Sequence, residues 1–307
     1  MNEKTIPDGV LIVNKHAGVT SHDIVGMVRR LYATRAVGHA GTLDPMATGV
    51  LVVLLGRAAK ATEYLSGCRK RYTARLRLGM TTDTEDTTGA VLTTCASEAL
   101  PTPDAVFAAC RDFVGEIEQI PPMYSALKVN GQKLVNLARR GVTVERQARP
   151  VTVFSLTCTP TETPSDYILD VSCSGGTYIR TLCADIGKRL GCGGVMAALT
   201  RTSACGFDLE QATDIRTLEF LSPEERLARL IPTEQLFADL PRVVLPAFYD
   251  RLCSNGCAVA LEKLRLRLDE HDRVRLYHAD GQFFALGEVI LAEGKPAMRC
   301  IKTFALS

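Results

Sequence analysis

The sequence predicts an α+β fold in which a large domain with a mixed sheet precedes a small β-rich domain. Strand-like and helix-like segments follow one another over the first 240 residues without a regular βαβ alternation. From about residue 241 the chain changes to short strand-like segments separated by turns such as Asn255-Gly256 and Asp280-Gly281. Because 307 residues suit one large and one small domain, we expect domains at 1–240 and 241–307.

The elements of the first domain follow from hydrophobic periodicity. Strands are predicted at 9–15, 50–55, 70–79, 151–159 and 167–174, and helices after Ser21 and at 57–66, 104–116, 132–140 and 177–190. Residues 50–55 form a continuous apolar run, which is typical of a strand buried on both faces. Residues 70–79 alternate instead, with Tyr72 and Leu76 on one face and Arg71 and Arg75 on the other, which predicts a half-buried strand with a basic face.

Composition excludes several classes of protein. Hydrophobic residues make up 46% and charged residues 23%, with a net charge of +2, which disfavours disorder. No apolar run reaches the roughly 18 residues that a membrane span requires. The N-terminal segment MNEKTIPDG has no apolar core of a signal peptide, so we expect a cytoplasmic protein.

Neither the cysteines nor the acidic segment predicts a metal site. The eleven cysteines are scattered and none forms a C-x-x-C pair, so we expect small buried hydrophobic residues in a reducing compartment. The segment DTEDTTG (83–89) resembles a calcium loop, but its glycine falls one place late and Thr94 stands where the loop needs glutamate. We therefore expect a solvated turn there and no bound metal.

The segment GHAGTLDPMATGVL contains one carboxylate, Asp44, between a glycine-rich turn and a proline. Gly41 permits a tight turn, and Pro45 restricts Asp44 to extended geometry. Such an aspartate either caps a turn or is held in place for chemistry, as a nucleophile or as a base. Arg180, in GTYIR, is a candidate partner for a buried carboxylate. The sequence alone leaves a surface arginine as the alternative.

Aromatic and basic residues suggest an RNA partner without proving it. Tyr72 in KRY and Tyr178 in GTYIR are either core tyrosines or rings that stack on a base. Basic side chains cluster between residues 126 and 150, against a single Glu145. A local basic patch of this kind is suited to phosphate contacts.

Five sequence blocks together resemble one known family. The segment around Asp44 closely resembles the central motif of the bacterial tRNA pseudouridine-55 synthases, and four further blocks resemble family motifs in family order: VNKHAGVTS, KRYTARLRLGMTTDTEDTTG, QIPPMYSALKVNGQKLVNLARRG and CSGGTYIRTLCADIGKRLG. The resemblance covers about residues 9–201. One departure is His16, where family members usually carry proline. The segment from 241 resembles a PUA-type RNA-binding module.

The resemblance implies a role for each matching position. Asp44 matches the catalytic aspartate, Tyr72 the tyrosine that stacks on the uracil and is thought to help in proton removal, and Arg180 the arginine that pairs with the aspartate. The positions expected to contact substrate RNA are His39, Tyr178, Leu199, Lys70, Arg71, Lys128 and Lys133, the last two in a basic insertion at about 120–150 that clamps the RNA. No metal or cofactor is implied.

The resemblance also implies a function and its partners. The expected reaction is isomerisation of uridine 55 to pseudouridine in the T loop of tRNA by base flipping, with an accompanying tRNA-folding role as an option. The expected partner is the tRNA T stem-loop; we expect a monomer that needs no guide RNA. Three alternatives stay open: an RNA-binding protein without catalysis, a glycoside hydrolase, which usually needs a second carboxylate, and a guide-RNA-dependent relative.

Overall fold

The computed structural model describes residues 7–129 and 131–304. Its strands, in chain order, are β1 (Gly9–Lys15), β2 (Val37–Ala40), β3 (Thr48–Leu55), β4 (Lys70–Leu78), β5 (Met80–Thr82), β6 (Val91–Thr94), β7 (Gly115–Gln119), β8 (Lys128–Val129), β9 (Gln132–Lys133), β10 (Arg149–Pro160), β11 (Asp166–Cys173), β12 (Gly194–Ala204), β13 (Phe207–Asp208), β14 (Thr213–Asp214), β15 (Arg242–Val244), β16 (Val259–Ala260), β17 (Arg273–Tyr277), β18 (Phe283–Ala292) and β19 (Lys295–Thr303). The α-helices are α1 (Ser21–Leu31), α2 (Pro103–Arg111), α3 (Leu134–Ala138), α4 (Ile179–Arg189), α5 (Ile215–Phe220), α6 (Pro223–Leu227), α7 (Ala247–Ser254) and α8 (Leu261–Leu264). Short 3₁₀ helices lie at Gly56–Tyr64, Ser97–Ala99, Leu209–Gln211 and Thr233–Phe237.

A mixed sheet forms the centre of the molecule. Ten strands of the described residues belong to it, in the order β14-β1-β3-β12-β4-β11-β10-β7, with β2 paired to β3 and β13 paired to β12. The pairs β1–β14 and β3–β12 are parallel and the remaining pairs are antiparallel. This architecture confirms the predicted α+β class with a mixed sheet.

Strand β3 is buried on both faces of this sheet. Leu51 and Val53 point into the core that the sheet forms with α1 and α4, whereas Val50 and Val52 point into a second core on the opposite face. A strand covered on both sides has no polar face, which explains its continuous apolar run. The predicted buried strand is therefore confirmed, and it extends two residues further toward its N-terminus than predicted.

Strand β4 alternates as the sequence predicts. Tyr72 and Leu76 are buried, whereas Arg71 and Arg75 on the other face are exposed. The strand lies between β12 and β11 and pairs with both over most of its length. Its backbone is therefore hydrogen-bonded on both sides, so the side chains of β4 have well-defined positions.

The last part of the chain forms a second, smaller sheet. Within the described residues it has five strands in the order β15-β17-β18-β19-β16, which confirms the β-rich character predicted from residue 241 onward. Leu286 and Phe304 from this sheet pack with Phe237 in the core on the second face of the large sheet. The two sheets thus share apolar contacts.

Several local predictions differ from the structure. The helix predicted at 132–140 begins with the strand β9 and is helical only over Leu134–Ala138. Helix α2 ends at Arg111, short of the predicted Glu116, because Gly115 adopts a φ of +110° and begins β7. The N-cap of α1 is Thr20, which accepts a hydrogen bond from the Asp23 amide, whereas Ser21 is the first helical residue. The glycine-rich segment before Asp44 includes part of the short strand β2.

The cysteine prediction is wrong for one pair. Cys68 and Cys205 form a disulfide across 137 residues of sequence, and the remaining cysteines of the described residues are free thiols. Lys70 on β4 lies opposite Ala204 on β12, so the pairing of these strands places the residues just beyond it side by side. Nothing in the spacing of the two cysteines reveals that proximity.

Candidate active site

A cleft of about 1440 Å³ opens beside the large sheet. Its walls come from the segments 39–45, 124–128, 131–140 and 176–180. It is lined by all the predicted site residues except Arg71, namely His39, Asp44, Lys70, Tyr72, Lys128, Lys133, Tyr178, Arg180 and Leu199. Side chains from across 160 positions of sequence therefore meet in one concave site, which is the usual form of a ligand-binding or active site.

The loop that carries Asp44 is fixed on both sides of the carboxylate. Before it, the Leu43 amide donates to the Ser21 hydroxyl at 2.9 Å, and that hydroxyl donates to the Leu43 carbonyl at 3.1 Å. After it, the buried Lys15 ammonium donates to the Pro45 carbonyl at 3.2 Å. Because both neighbours of Asp44 are held by α1 and β1, its carboxylate has a defined direction.

Arg180 contacts Asp44 at two points. Its Nε lies 2.8 Å from Asp44 Oδ2, and its Nη2 donates to Oδ1 at 3.2 Å. The guanidinium also donates to the carbonyls of Thr84 at 3.0 Å and Tyr124 at 2.8 Å. Arg180 is only 4% exposed, so it is not a surface arginine. A forked, buried contact of this kind is stronger and more directional than a surface ion pair.

The environment of Asp44 both opposes and supports its charge. Burial is the larger influence and raises the pKa of the Asp44 carboxyl above its ordinary value, while the Arg180 guanidinium lowers it. The nearby Asp86 carboxylate raises the pKa further. Among the surrounding charges, the Arg180 guanidinium is therefore the strongest influence that favours the ionised carboxylate of Asp44.

The acidic turn predicted to be solvated is instead part of this network. Asp86 is 5% exposed, accepts hydrogen bonds from the Thr88 amide at 2.9 Å and hydroxyl at 2.6 Å, and lies 3.9 Å from Arg180 Nη1. Glu85 accepts from the Thr181 hydroxyl at 2.7 Å, and burial raises its pKa. The turn packs against the start of α4, which brings both carboxylates to the arginine.

Comparison with known proteins identifies the family. A model of the TruB family pseudouridylate synthase N-terminal domain matches residues 29–179, and one of the tRNA pseudouridylate synthase B C-terminal domain matches residues 180–247. The chain belongs to the TruB family of pseudouridylate synthases. Members of this family are isomerases, so the chain is identified as an enzyme of that class.

Individual relatives in this family cover most of the chain. A protein of Syntrophotalea carbinolica named tRNA pseudouridine synthase B is 44% identical over 80% of this chain and 80% of its own length. Proteins of the same name from Aromatoleum aromaticum and Clostridium kluyveri are 42% and 41% identical, over 94% and 91% of this chain and 90% and 95% of their own. These matches confirm the resemblance seen in the motifs.

Solved structures support the fold of the TruB-family chain. A chain in a crystal structure of a Cbf5–Nop10–Gar1 complex superposes with a TM-score of 0.75 at 25% identity, covering 99% of this chain and 87% of that one. A chain in an H/ACA RNP bound to a substrate RNA containing 2′-deoxyuridine gives a TM-score of 0.71 at 22% identity, covering 98% and 86%. The likeness spans both sheets.

Strands β4 and β12 form the floor of this TruB-family cleft. Tyr72 and Leu199 are both largely buried and line the cleft, and burial raises the pKa of Tyr72. Burial lowers the pKa of Lys70 to about 8 and also lowers that of His39, and the charge of Arg201 adds to both effects. Arg201 on β12 is fully buried and was missed in the motif analysis, although an arginine within the apolar pattern VMAALTR is a visible signal.

The basic insertion begins beside the ion pair of Asp44 and Arg180. The Tyr124 carbonyl that accepts from Arg180 lies at its start, and the β8–β9 hairpin follows. Lys128 and Lys133 are register partners on this hairpin and are both exposed. Tyr178, at the N-terminus of α4, is tied to the strand before the insertion through reciprocal hydrogen bonds between its backbone and the Gln119 side chain, at 2.9 and 3.2 Å.

Arg71 does not join the other predicted residues. Its side chain points to the opposite face of β4 and lines a smaller cleft of about 530 Å³ together with Arg69 and Arg273. Within residues 7–129 and 131–304, no group of three or more His, Cys, Asp or Glu side chains is arranged to hold a metal ion. Over the same residues, no helix has both the length and the apolar character of a membrane span.

Proposed function

We propose that this chain converts uridine 55 in the T loop of tRNA to pseudouridine. The observation that carries the proposal is the two-point contact between Asp44 and the buried Arg180 in the cleft of a TruB-family chain. The relatives described above are named for tRNA, which supports tRNA as the substrate class. The assignment of uridine 55 follows from the motif resemblance.

The target uridine must leave the base stack before Asp44 can reach its sugar. Flipping a base from a loop costs a few kcal/mol of stacking, which aromatic and apolar side chains recover in part. Tyr72, Leu199 and Tyr178 supply such surfaces around Asp44. His39 lines the same cleft and is proposed to hold the opened loop. The cleft is large enough for a nucleotide and part of its neighbours.

Asp44 then assists cleavage of the C1′–N1 bond, either by attacking the nucleoside or by removing a sugar proton. Both roles require an ionised carboxylate, and Arg180 supplies the charge that favours it. The base turns within the cleft and rejoins the sugar through C5. Tyr72 helps to remove the C5 proton, which completes the isomerisation. No electron or phosphoryl group is transferred, so we propose that the reaction needs neither a metal nor an organic cofactor.

Basic residues are proposed to hold the T stem-loop through its phosphates. Lys128 and Lys133 project from the insertion at about 120–150, and Lys70 lies in the cleft. Phosphate contacts orient an RNA without reading its sequence. Arg71 faces away from the cleft, so its proposed contact is with RNA outside the active site. Residues 1–240 would form the catalytic domain and 241–307 a PUA-type RNA-binding module.

The proposed enzyme works in the cytoplasm as a monomer without a guide RNA. The basic insertion at about 120–150 gives the chain its own means of gripping RNA beside the active site. A tRNA-folding role would use the same surface and does not require Asp44 to react. The solved Cbf5 structure belongs to a complex with Nop10 and Gar1, so dependence on partners is the alternative to test.

The decisive experiment measures tritium release from C5 of uridine in a tRNA transcript. The purified chain is incubated with the transcript, without metal or nucleotide, alongside the variants Asp44→Asn and Asp112→Asn. Asp112 forms an exposed ion pair with Arg189 and serves as the matched control. We expect release stoichiometric with tRNA for the wild type and the control, and none for Asp44→Asn, which should still bind tRNA.

Other outcomes would contradict the proposal in distinguishable ways. Release from a transcript with cytidine at position 55 would refute the assigned site. Free uracil in the products would favour a glycoside hydrolase, whereas an unchanged nucleotide mass agrees with isomerisation. Tight tRNA binding without release would indicate either an RNA-binding protein or a missing guide RNA or partner.

A further inference from the structure

Arg201 is a buried cation without a carboxylate partner. Its side chain is 0% exposed. Nε donates to the Val50 carbonyl at 2.7 Å and Nη2 donates to the Gly41 carbonyl at 3.0 Å, while Nη1 has no hydrogen-bond partner among the described residues. Within the same part of the chain, no Asp or Glu oxygen lies within 4 Å of this guanidinium. Buried charges are normally paired, so an unpaired one requires an explanation.

The position of Arg201 in the sheet suggests that explanation. Arg201 on β12 is the direct register partner of Tyr72 on β4, and directly opposed residues of antiparallel strands point to the same side. Among the described residues Nη1 makes no hydrogen bond with the Tyr72 phenol, but both side chains line the same cleft. Nε and Nη2 are anchored to backbone carbonyls, which leaves the Nη1 amino group without a hydrogen-bond partner among the described residues.

We propose that Arg201 is a positioning residue for Tyr72: its free Nη1–H holds the phenolic oxygen and stabilises the phenolate that accepts the C5 proton. The inference rests on the proposed function and assigns that reaction a further residue. Arg201 does not need to touch the substrate, because it acts through the tyrosine.

The proton-transfer step balances without any further reactant. After the base has rejoined through C5, that carbon carries both the new bond to C1′ and its original hydrogen. The phenolate oxygen takes the hydrogen as a proton, and the C5–H electron pair becomes the C5=C6 double bond. The C6=N1 electron pair moves onto N1, which takes a proton from the phenol or from water. The net change is one proton moved from C5 to N1.

Among the charged and titratable groups around Tyr72, Arg201 is the one that favours the phenolate most. Burial raises the Tyr72 pKa, and the Cys173 thiol on β11 and the Asp44 carboxylate raise it too, whereas the Arg201 guanidinium lowers it. The same positive charge lowers the pKa values of the neighbouring Lys70 on β4 and Lys15 on β1. Arg201 thus creates a positive potential where the reaction needs a negative oxygen.

The test compares Arg201→Met, Arg201→Lys and Tyr72→Phe with the double variant that combines Met at 201 and Phe at 72. Arg189→Met removes an exposed arginine and controls for loss of charge. Single-turnover rates are measured across pH with C5-hydrogen and C5-deuterium substrate, and tRNA Kd is measured at several salt concentrations. Circular dichroism confirms that each variant is folded.

Arg201→Met is expected to slow the reaction about 100-fold near neutral pH, at the lower end of the range of one acid–base contribution. The loss should shrink as pH rises, because more phenolate then forms without help. The C5 isotope effect should become larger. The Kd for tRNA should stay within about twofold and its salt dependence should not change, because Arg201 is not proposed to contact a phosphate; a lost phosphate contact would reduce the salt slope by about one. The rate of Arg201→Lys should lie between those of the wild type and Arg201→Met, because lysine keeps the positive charge but lacks the forked donor geometry of the guanidinium. In the Tyr72→Phe background, Arg201→Met should cause no further loss.

Three results would overturn the inference. One is a full additional loss from Arg201→Met in the Tyr72→Phe background. Another is an unchanged isotope effect and pH profile. The third is a weaker Kd with a smaller salt slope, which would make Arg201 a phosphate contact. If the Arg201 variants do not fold, replacing Tyr72 by 3-fluorotyrosine tests the same point: its more acidic phenol should shift the rate profile to lower pH, and no shift refutes the role of a phenolate. Absence of tritium release by the wild type would instead reject the proposed function.

Discussion

Replacing Arg180 by methionine should destabilise the protein in a way that depends on pH. The variant leaves Asp44 without its cation and leaves the carbonyls of Thr84 and Tyr124 without their donor. Removing one partner of a buried ion pair costs about 3–5 kcal/mol. Because the Asp44 side chain is 33% exposed, solvent lowers that cost, and we expect about 3 kcal/mol at neutral pH.

The sign of the pH dependence follows from Asp44. Burial already raises its pKa, and loss of Arg180 raises it further, so the folded state of the variant disfavours the ionised carboxylate more strongly. That penalty is fully present above the folded pKa and disappears when the carboxyl is protonated in both folded and unfolded states. The difference between variant and wild type should therefore be larger at about pH 7.5 than at about pH 5.

Urea unfolding followed by far-ultraviolet circular dichroism measures this difference, since the chain contains no tryptophan. The control is Arg189→Met, which breaks an exposed ion pair with Asp112 and should cost under about 1 kcal/mol at either pH. A loss for Arg180→Met as small as that of the control, or one that does not change with pH, would refute the reasoning.

Three further predictions concern the sheet, the insertion and the cysteines. Gly49→Ala should lower the thermal midpoint of unfolding by several degrees more than the control Gly206→Ala. A Cβ at Gly49 would lie 2.2 Å from the Arg201 carbonyl oxygen, whereas a Cβ at Gly206 would meet no atom within 4 Å. Equal shifts for the two variants would argue against this packing. Lys128→Glu should weaken tRNA binding and flatten its salt dependence while the saturated rate is unchanged, with the exposed Lys188→Glu as control; an unaltered Kd would remove the insertion from the RNA interface. Alkylation of the unfolded but unreduced chain should modify nine of the eleven cysteines, and modification of all eleven by mass spectrometry would contradict the disulfide.

The sequence was sufficient for the parts of the fold that depend on local pattern. The two-faced burial of β3 and the alternation of β4 follow directly from the order of apolar residues. Asp44 was also recognisable, because its neighbours Gly41 and Pro45 restrict the backbone around it. Its partner Arg180 could be named only as a candidate and through the family resemblance, because it lies 136 residues away and its burial depends on packing.

The errors about the acidic turn, Arg201 and the disulfide share one physical origin, which is contact between distant segments. Asp86 looks like a turn residue because the amide and hydroxyl of Thr88, two positions later, donate hydrogen bonds to its carboxylate. The turn nevertheless packs against α4, which brings Asp86 close to Arg180. Arg201 and the disulfide both depend on the pairing of β12 with β4. Long-range strand pairing has no local signature, so the residues that it brings together are found only in three dimensions.

The hydrogen bond from Arg180 to the Tyr124 carbonyl gives the basic insertion a thermodynamic link to the Asp44 carboxylate, which Arg180 also contacts. If the insertion lifts away to admit an RNA, the guanidinium loses one of its acceptors while still facing Asp44. When the insertion closes again, the guanidinium regains the Tyr124 carbonyl as an acceptor. Since any such coupling is reciprocal, RNA that favours the closed insertion also favours the ordered ion pair, and an intact ion pair favours closure on RNA. The order of the Asp44–Arg180 ion pair and the affinity for RNA would then depend on the same conformational equilibrium.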